Sequence, residues 1–446
     1  MSWYIPPYRF PENIVEFKIK DVLSDITLYF GDKQIRAHKI VLALYCKLFE
    51  NTKDKSELFL DPPDDDMLES YINILYRQDL NENVKNYEDW KFRLLMLETL
   101  KYLGVDYVDY LAEIEKVNVT KDNFSFFVNT TFNIIEDKLK AVSLISRFLK
   151  LDYDLTALVP YKKQFIYYLN FPTVLYITND NELICENILL YKFFSIVINS
   201  NDIIDNIITA KNGKFFAYFV SETLNLHIYN FDGSAYKNIK FNNKLTFATI
   251  STTGKYICTN SGIYTINGDI FYADKKITNA VFSSDDKYAF IVKNKSILNV
   301  IDLENKNITY TYKTNKVKCI DLSINDVPLI VEENKLNILE DITGNNNFVL
   351  EYKDIKYAKW SPVYNHILIS ANNVLYLYNY KTNKVIRTYD FYPNKIEWSD
   401  SYQYIMITQN HKLIFDILKN DIFYDFDNAA TWISHKHLID ELNSLS

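Results

Sequence analysis

Histidine is the residue type most suited to proton transfer or metal binding, and this 446-residue chain has six. None of the six is spaced from a cysteine or a pair of carboxylates in a pattern typical of a catalytic or metal site. His435 and His437 would point the same way only if the C-terminal tail were a strand. The six positions are His38, His227, His366, His411, His435 and His437.

Other chemical motifs are missing from the sequence as well. It contains no G-x-S-x-G, P-loop or G-x-G-x-x-G pattern, so nucleophilic, phosphoryl-transfer and dinucleotide chemistry have no support. The run Asp64-Asp65-Asp66 fits a metal cluster less well than the N-cap and first turn of a helix beginning near Met67. We therefore predict a protein that is not an enzyme and that has no metal or cofactor site.

Asp25, His38 and Lys39 lie in one short passage whose pattern predicts two strands and a helix. Apolar residues alternate with other residues over 26–30, Gly31-Asp32 supplies a turn, and the alternation resumes up to Ala37. A helical run starts at Lys39. The three polar residues therefore lie at the ends of the predicted strands and at the start of the helix.

This passage resembles the opening of the BTB/POZ domain, which has a similar Ser-Asp strand, a hairpin and an Ala-His-Lys-x-Val-Leu-Ala helix start. Later segments match further elements of that domain in the same order, at 48–49, 58–61, 67–79 and 94–105. The resemblance covers residues 15–115. The motif residues are His38, Leu42, Phe49 and Tyr76.

The resemblance implies an α+β domain that forms a homodimer. In BTB dimers, residues matching Asp25 and Lys39 line a charged pocket between the subunits, and Arg36 lies nearby in sequence. The alternative is that these are surface or capping charges. We expect His38 to be a partly buried, hydrogen-bonded residue of the core.

Length and composition suggest two or three domains, since domains average about 150 residues. A net charge of −8 without a basic stripe argues against a nucleic-acid partner. The N-terminus lacks a signal-peptide pattern, and the longest apolar stretch, 188–198, is too short to span a membrane. We expect a soluble intracellular protein whose four separated cysteines are buried free thiols.

Residues 119–150 have apolar residues at intervals of three and four, which predicts amphipathic helices. We assign 116–155 as a helical extension that resembles part of the BACK segment that often follows BTB domains. From about residue 165 the pattern changes to short strands, including 165–169 as the first run. An all-β domain is therefore predicted over 160–430, followed by a tail at 431–446.

The all-β domain contains a repeat. One set of positions follows a short apolar run at intervals of 32 to 41 residues, and a second set closes apolar triplets at intervals of 35 to 39. The first set is Ala210, Ser251, Ser283, Ser323, Ser361 and Ser399. The second set is Asn230, Asn267, Asp302, Glu340, Asn379 and Asp416.

Two anchors with one period near 38 resemble WD repeats, each of which forms a four-stranded blade of a β-propeller. Six repeats are visible, and 165–201 is expected to supply a degenerate first blade, which makes seven with a closing strand from one terminus. The sequence lacks the Gly-His and Trp-Asp pairs of regular repeats; Ile301, Leu339 and Tyr378 occupy the tryptophan position. Blade stability must then come from aromatic and aliphatic packing.

The order of domains and the bias towards Asn, Lys, Ile and Tyr resemble the BTB/WD-repeat proteins of mimivirus-like giant viruses, which would place the protein in the host cytoplasm. The function that this implies is a scaffold that self-associates through the BTB domain and binds protein partners through the propeller. The alternative is a substrate adaptor of a cullin-3 ubiquitin ligase. The short, polar segment 50–56 replaces the longer hydrophobic-x-Glu segment of cullin-binding relatives and argues against that alternative.

Overall fold

The computed structural model describes residues 24–52, 54–76, 80–105, 108–150, 152–189, 192–198, 204, 206–340, 347–409, 412–426 and 428–445. The first residues of the predicted BTB domain, 15–23, and His411 lie outside these ranges. The chain divides into two compact units, Met1–Gln164 and Phe165–Ser446.

The first unit begins with a three-stranded sheet of order β2-β1-β3. Strand β1 (Ile26–Phe30) pairs antiparallel with β2 (Lys33–Ala37) and parallel with β3 (Glu57–Phe59). Ile26, Leu28 and Phe30 are buried on one face, as the alternation predicts.

Helices bury the inner face of this sheet. Leu42, Met67, Leu68, Tyr71, Leu94 and Leu100 are all fully buried in their core. Asp64 is the N-cap of the second helix and accepts a hydrogen bond of 2.8 Å from the N–H of Met67, which confirms the capping interpretation of the acidic run. The helices are α1 (Lys39–Tyr45), α2 (Asp65–Leu75), α3 (Glu82–Lys85), α4 (Asp89–Tyr102), α5 (Tyr110–Ile114), α6 (Phe124–Ile134) and α7 (Lys138–Phe148), with a 3₁₀ turn at Lys47–Phe49.

The segment before the propeller is helical where a first strand was expected. A 3₁₀ helix at Leu155–Tyr161 leads into α8 (Lys162–Leu169), so the prediction of a strand at 165–169 is wrong. Phe165, Tyr168 and Leu169 are buried together, because residues three and four apart lie on one side of a helix. The helical spacing of these three residues outweighs the strand preference of the aromatic and β-branched types.

The second unit is a β-propeller. Within the described residues, seven four-stranded antiparallel sheets are present. The first strands of neighbouring sheets contact each other, so these strands surround the central axis. The outermost strands are largely exposed. The predicted fold class, a BTB-type α+β domain followed by helices and a propeller, is confirmed.

The strands are, in chain order, β4 (Thr173–Ile177), β5 (Glu182–Asn187), β6 (Lys192–Val197); β7 (Asn206–Thr209), β8 (Phe215–Phe219), β9 (Asn225–Asn230), β10 (Ala235–Lys240); β11 (Ala248–Ile250), β12 (Tyr256–Thr259), β13 (Gly262–Thr265), β14 (Ile270–Ala273); β15 (Ile277–Phe282), β16 (Tyr288–Lys293), β17 (Ile297–Asp302), β18 (Asn307–Lys313); β19 (Cys319–Leu322), β20 (Pro328–Val331), β21 (Lys335–Leu339), β22 (Asn347–Glu351); β23 (Tyr357–Trp360), β24 (His366–Ala371), β25 (Val374–Asn379), β26 (Lys384–Tyr389); β27 (Lys395–Trp398), β28 (Tyr404–Thr408), β29 (Lys412–Asp416), β30 (Asp421–Phe426); and β31 (Ala430–Ile433).

Apolar side chains fill the spaces between the blades. Leu329 and Ile338 of the fifth blade pack with Ile367 and Ile369 of the sixth. Ile301, Leu339 and Tyr378, which replace the usual tryptophan, are all buried. Packing of this kind supplies the stability that the missing Trp-Asp pairs would otherwise support.

Asparagine takes the place of glycine in several turns. Asn372, Asn373 and Asn383 all have positive φ, at 52°, 65° and 53°. Asparagine tolerates this left-handed conformation better than most residues. The chain can therefore make tight blade turns with only 8 glycines.

The first blade is closed by the end of the chain. Strand β31 pairs antiparallel with β4, from Ala430 opposite Tyr176 to Ile433 opposite Thr173. The chain then forms helix α9 (Lys436–Ser444). The propeller thus extends beyond residue 430, into the segment that the sequence assigned to a tail, because the inner edge of β4 requires a partner.

Substitution of Gly213 tests this closure. Gly213 has φ +76°, and an added Cβ would lie 1.5 Å from the carbonyl oxygen of Ser434, just after β31. We expect Gly213→Ala to lower the free energy of unfolding by about 3 kcal/mol or more, because backbone strain and a backbone clash act together. Urea unfolding measures this change.

Gly268→Ala is the matched control, since Gly268 also has positive φ but faces the Ile239 side chain at 3.1 Å. Gly268→Ala should lower the free energy of unfolding by only about 1–2 kcal/mol. Equal losses in the two variants would contradict a tight contact between the second blade and the closing segment.

Candidate interaction surfaces

Asp25 anchors the start of α1. Its Oδ1 accepts a hydrogen bond of 2.8 Å from the main-chain N–H of Lys39, whereas the N-cap residue His38 makes no side-chain cap. Arg36 is exposed on β2, directly opposite Thr27 of β1. The structure therefore brings Asp25 and Lys39 together through the backbone, and the Asp25 carboxylate stabilises the helix start.

The motif residues His38 and Tyr76 join α1 to the end of α2. The N–H of His38 donates to the Tyr76 hydroxyl at 2.8 Å, and His38 Nδ1 lies 3.3 Å from the same oxygen. Burial raises the pKa of Tyr76 to about 12, so the phenol stays protonated at neutral pH. Leu42 and Phe49 are buried nearby in sequence and belong to the core. All four motif residues are therefore buried in the domain, and His38 and Tyr76 are hydrogen-bonded to each other.

Helix α1 also carries apolar side chains on its outer side. Ile40 is 71% exposed and Leu44, one turn later, is 62% exposed; Leu48 in the following 3₁₀ turn is 38% exposed. We call these three residues the α1 face. Adjacent exposed aliphatic residues on one helix side are typical of a surface that binds another protein.

The segment proposed to weaken cullin binding is compact. Thr52 is buried, and its hydroxyl donates to the carbonyl of Phe49 at 2.7 Å. Main-chain bonds join Thr52 to Phe49 and Lys55 to Thr52. The described residues between Phe49 and β3 therefore form short turns and expose no large apolar side chain.

The repeat serines close the turn after the first strand of their blades. Ser283 Oγ accepts the N–H of Tyr288 at 2.9 Å, and Ser323 Oγ accepts the N–H of Val327 at 3.0 Å. Ser361 Oγ accepts the N–H of Tyr364 at 3.2 Å, and Ser399 Oγ lies against the Tyr404 carbonyl at 2.9 Å. The serine hydroxyls thus satisfy polar groups of the turn.

The second set of anchors closes the turn between the third and fourth strands. Asp302 Oδ1 accepts the N–H groups of Glu304 and Asn305 at 2.8 and 2.9 Å. Asp416 Oδ1 accepts those of Leu418 and Lys419 at 2.9 and 3.0 Å. These carboxylates are turn-forming residues of the scaffold.

Sequence reasoning missed the residues that join one blade to the next. Asp286 Oδ2 accepts the hydroxyl of Ser251 at 2.7 Å from the preceding blade. Asp326 accepts both the N–H and the hydroxyl of Ser284 at 2.8 Å. Each aspartate stands three residues after an anchor serine, and this spacing could have revealed the link.

Charged side chains gather on the inner strands. Asp321 pairs with Lys359 at 2.8 Å and accepts the N–H of Trp360 at 2.8 Å. Burial disfavours the charged Glu397, yet Lys395 and Lys412 outweigh that effect and hold its pKa at about 2. The Glu397 oxygens are occupied by Lys395 at 2.5 Å and Thr431 at 2.8 Å. The carboxylates of this cluster are thus paired with protein donors.

Three described histidines of the propeller, His366, His435 and His437, are bonded to groups of the scaffold. His366 lies between the Tyr402 hydroxyl at 2.8 Å and the Asn379 amide at 3.2 Å, with no carboxylate bonded to it. His435 Nε2 is 3.2 Å from Thr173 Oγ1, and His437 Nδ1 donates to the carbonyl of Asn212 at 2.9 Å. His435 and His437 therefore contact different blades. Among the described residues, no group of three or more His, Cys, Asp or Glu side chains could hold a metal ion.

In the part of the chain that the structure describes, no helix combines the length and apolar character needed to cross a membrane. The four cysteines are free and buried, as predicted, and burial raises the pKa of the Cys46 thiol to about 12.

Comparison with known families identifies the class of the first unit. Residues 15–111 match the BTB/POZ domain family. Together with the seven four-stranded sheets, this match defines a chain with an N-terminal BTB/POZ domain and a WD-like propeller.

A relative has the same combination. The chain is 29% identical over 205 residues to a BTB/POZ domain and WD-repeat protein of Acanthamoeba polyphaga mimivirus. The alignment covers 43% of this chain and 34% of that relative, so the chain spans about a third of the protein it matches. The predicted resemblance to mimivirus BTB/WD-repeat proteins is confirmed.

The burial of His435, just after β31, can be tested through the pH dependence of stability. Burial, followed by the nearby His437, lowers the pKa of His435 to about 3, whereas an unfolded histidine titrates near its ordinary 6.5. Between these values only the unfolded chain binds the proton, so stability is complete above about pH 6.5 and falls as the pH decreases.

We expect His435→Gln to reduce the slope of unfolding free energy against pH by about 1 kcal/mol per pH unit on average between pH 6.5 and 5, approaching about 1.4, the value for one proton, as the unfolded histidine becomes fully protonated. Urea unfolding at a series of pH values measures it. An unchanged slope would show that His435 is not buried in its neutral form.

Proposed function

We propose that the chain is a non-catalytic scaffold that self-associates through its BTB domain and binds protein partners through its propeller. The main observation in support is the α1 face, where Ile40 and Leu44 expose most of their apolar surface one helical turn apart. Burial of both side chains between two copies would remove that surface from water, which favours association.

The charged residues beside this face support the same proposal. Lys39 follows the Asp25 cap and immediately precedes Ile40. In this arrangement the apolar residues supply affinity, while Asp25 and Lys39, with Arg36 nearby, form the charged pocket between copies that sets orientation. A symmetric dimer would place each α1 face against the same face of the second copy.

The propeller is proposed as the partner-binding module for a different reason. Its carboxylates and serines are used within the turns and between blades, as at Asp286 and Asp326. A rigid framework of this kind presents its connecting loops to a partner in fixed positions. Partner identity would then depend on those loops.

Charge substitution in the α1 face tests self-association. We expect Ile40→Asp with Leu44→Asp to abolish association through the α1 face, because that interface would bury unpaired charges, so that the 52.7 kDa chain is a monomer at low micromolar concentration. Asp25→Asn with Lys39→Gln should weaken the dimer less, since asparagine can still cap the helix. Light scattering after size-exclusion chromatography gives the mass.

Ile270→Asp with Ile324→Asp is the control pair, because these propeller residues are 68% and 62% exposed. It should leave the mass unchanged. A mass at low micromolar concentration that the α1 substitutions leave unchanged would remove this face from the proposal.

A cullin-3 adaptor remains the second candidate function, and helices α6 and α7 favour it, because they occupy the position of the extension that often strengthens cullin contact. The compact turns before β3 oppose it.

Co-purification with cullin-3 discriminates the two functions. For the scaffold we expect no cullin-3 to be retained at high protein concentration, while the chain still forms a dimer. Stoichiometric retention of cullin-3 would replace the scaffold proposal with the adaptor.

A further inference from the structure

The three-stranded sheet of the first unit has an outer face that the α1 face does not include. Alternation along the strands puts Ile26, Leu28 and Phe30 inside and their neighbours outside. The cross-strand register fixes which outward residues are adjacent. We define the sheet face as Thr27 and Tyr29 of β1, Gln34 and Arg36 of β2, and Glu57 and Phe59 of β3.

Two aromatic rings form the apolar part of this face. Phe59 is 76% exposed, the largest value among the exposed large hydrophobic residues that the structure describes. The Tyr29 ring stacks on it with centroids 4.9 Å apart and planes inclined by 16°. The stack leaves much of the Phe59 ring in water, and its burial would favour association.

Two opposite charges stand at the two edges of the face. Thr27 pairs with Arg36 on one side and with Glu57 on the other, so both charges lie in one row across the sheet. Among the described residues, Arg36 makes no ion pair. Glu57 Oε1 accepts a hydrogen bond of 3.4 Å from the Tyr29 hydroxyl.

This arrangement is complementary to itself. A two-fold axis along β1 exchanges the two edge strands, so β2 of one copy lies over β3 of the other. Arg36 of each copy then faces Glu57 of its mate. The two Tyr29 rings meet on the axis and each Phe59 ring lies over Gln34 of the mate, between sheets at about 10 Å spacing.

We propose that the sheet face binds the sheet face of a second copy of this chain, through two Arg36–Glu57 ion pairs around a shared aromatic cluster. This interface uses residues outside the α1 face. Of its two charged residues, Arg36 also lies near the charged pocket proposed beside that face, whereas Glu57 does not. A subunit with two separate isologous faces assembles beyond a dimer, into a closed tetramer or an extended chain. The two faces together would make the protein a multivalent scaffold.

Charge reversal and its compensation provide the test. The background is Ile40→Asp with Leu44→Asp, which leaves only the sheet face available. Light scattering over a range of concentrations, up to the high micromolar, should show a monomer–dimer equilibrium. Added Arg36→Glu or Glu57→Arg should each weaken it at least about tenfold, because like charges then face each other.

The double variant Arg36→Glu with Glu57→Arg restores opposite charges and should recover the affinity to within about threefold. Lys140→Glu is the matched control for Arg36→Glu, since Lys140 is exposed on α7 and the two substitutions change the net charge equally. It should leave the equilibrium unchanged. Circular dichroism confirms that each variant is folded.

A monomeric background at every concentration would overturn the proposal, and so would single reversals without effect or a folded double variant that stays dissociated. If the α1 substitutions leave the wild-type mass unchanged, the charge-reversal variants are made in the wild-type chain and their masses are measured there. Glu57→Arg then tests the sheet face alone, because Glu57 is not part of the charged pocket proposed beside α1.

Discussion

The structure depends on the fact that each propeller blade is apolar on both faces. Leu226 and Ile257, for example, come from neighbouring blades and are both fully buried in one cluster. A single blade cannot bury such faces, so every blade requires two neighbours and the series has to form a circle. Strand β31, which comes from the C-terminal end of the domain, pairs with β4 of the first blade and so closes the circle. This requirement explains why the chain can diverge from the usual repeat motifs and still keep the architecture.

The two kinds of polar residue in the propeller follow from the same requirement. Serines such as Ser283 satisfy the turn within a blade, and aspartates such as Asp326 join a blade to the one before it. Both use their polar groups within the scaffold. In the BTB domain, Asp25 and Tyr76 similarly use their hydrogen-bonding groups to fix the start of α1. Exposed apolar side chains, such as Ile40 and Phe59, remain available for interaction.

Sequence patterns predicted the features that depend on local period. Alternation located β1 and β2, and the acidic run before Met67 marked the start of α2, because side-chain direction and capping are set within a few residues. The error at Phe165 shows the limit, since a short apolar run fits a strand and a helix equally well until its packing partner is known. Exposure of Ile40 depends on the tertiary fold, and no local pattern specifies it. The pairing of Asp286 with Ser251 crosses between blades, and only the three-residue spacing from an anchor serine points to it.

The position of β31 has a consequence for how the protein is made. Strand β4 is synthesised first, but its inner neighbour follows roughly 250 residues later, and ribosomes add about 5–20 residues per second. For roughly 10 to 50 seconds the nascent chain therefore carries an apolar strand edge, Thr173–Ile177, that nothing yet covers. A message truncated before β31, or a ribosome stalled there, would release the chain with this edge open, which makes the synthesis of β31 decisive for whether the propeller folds or aggregates.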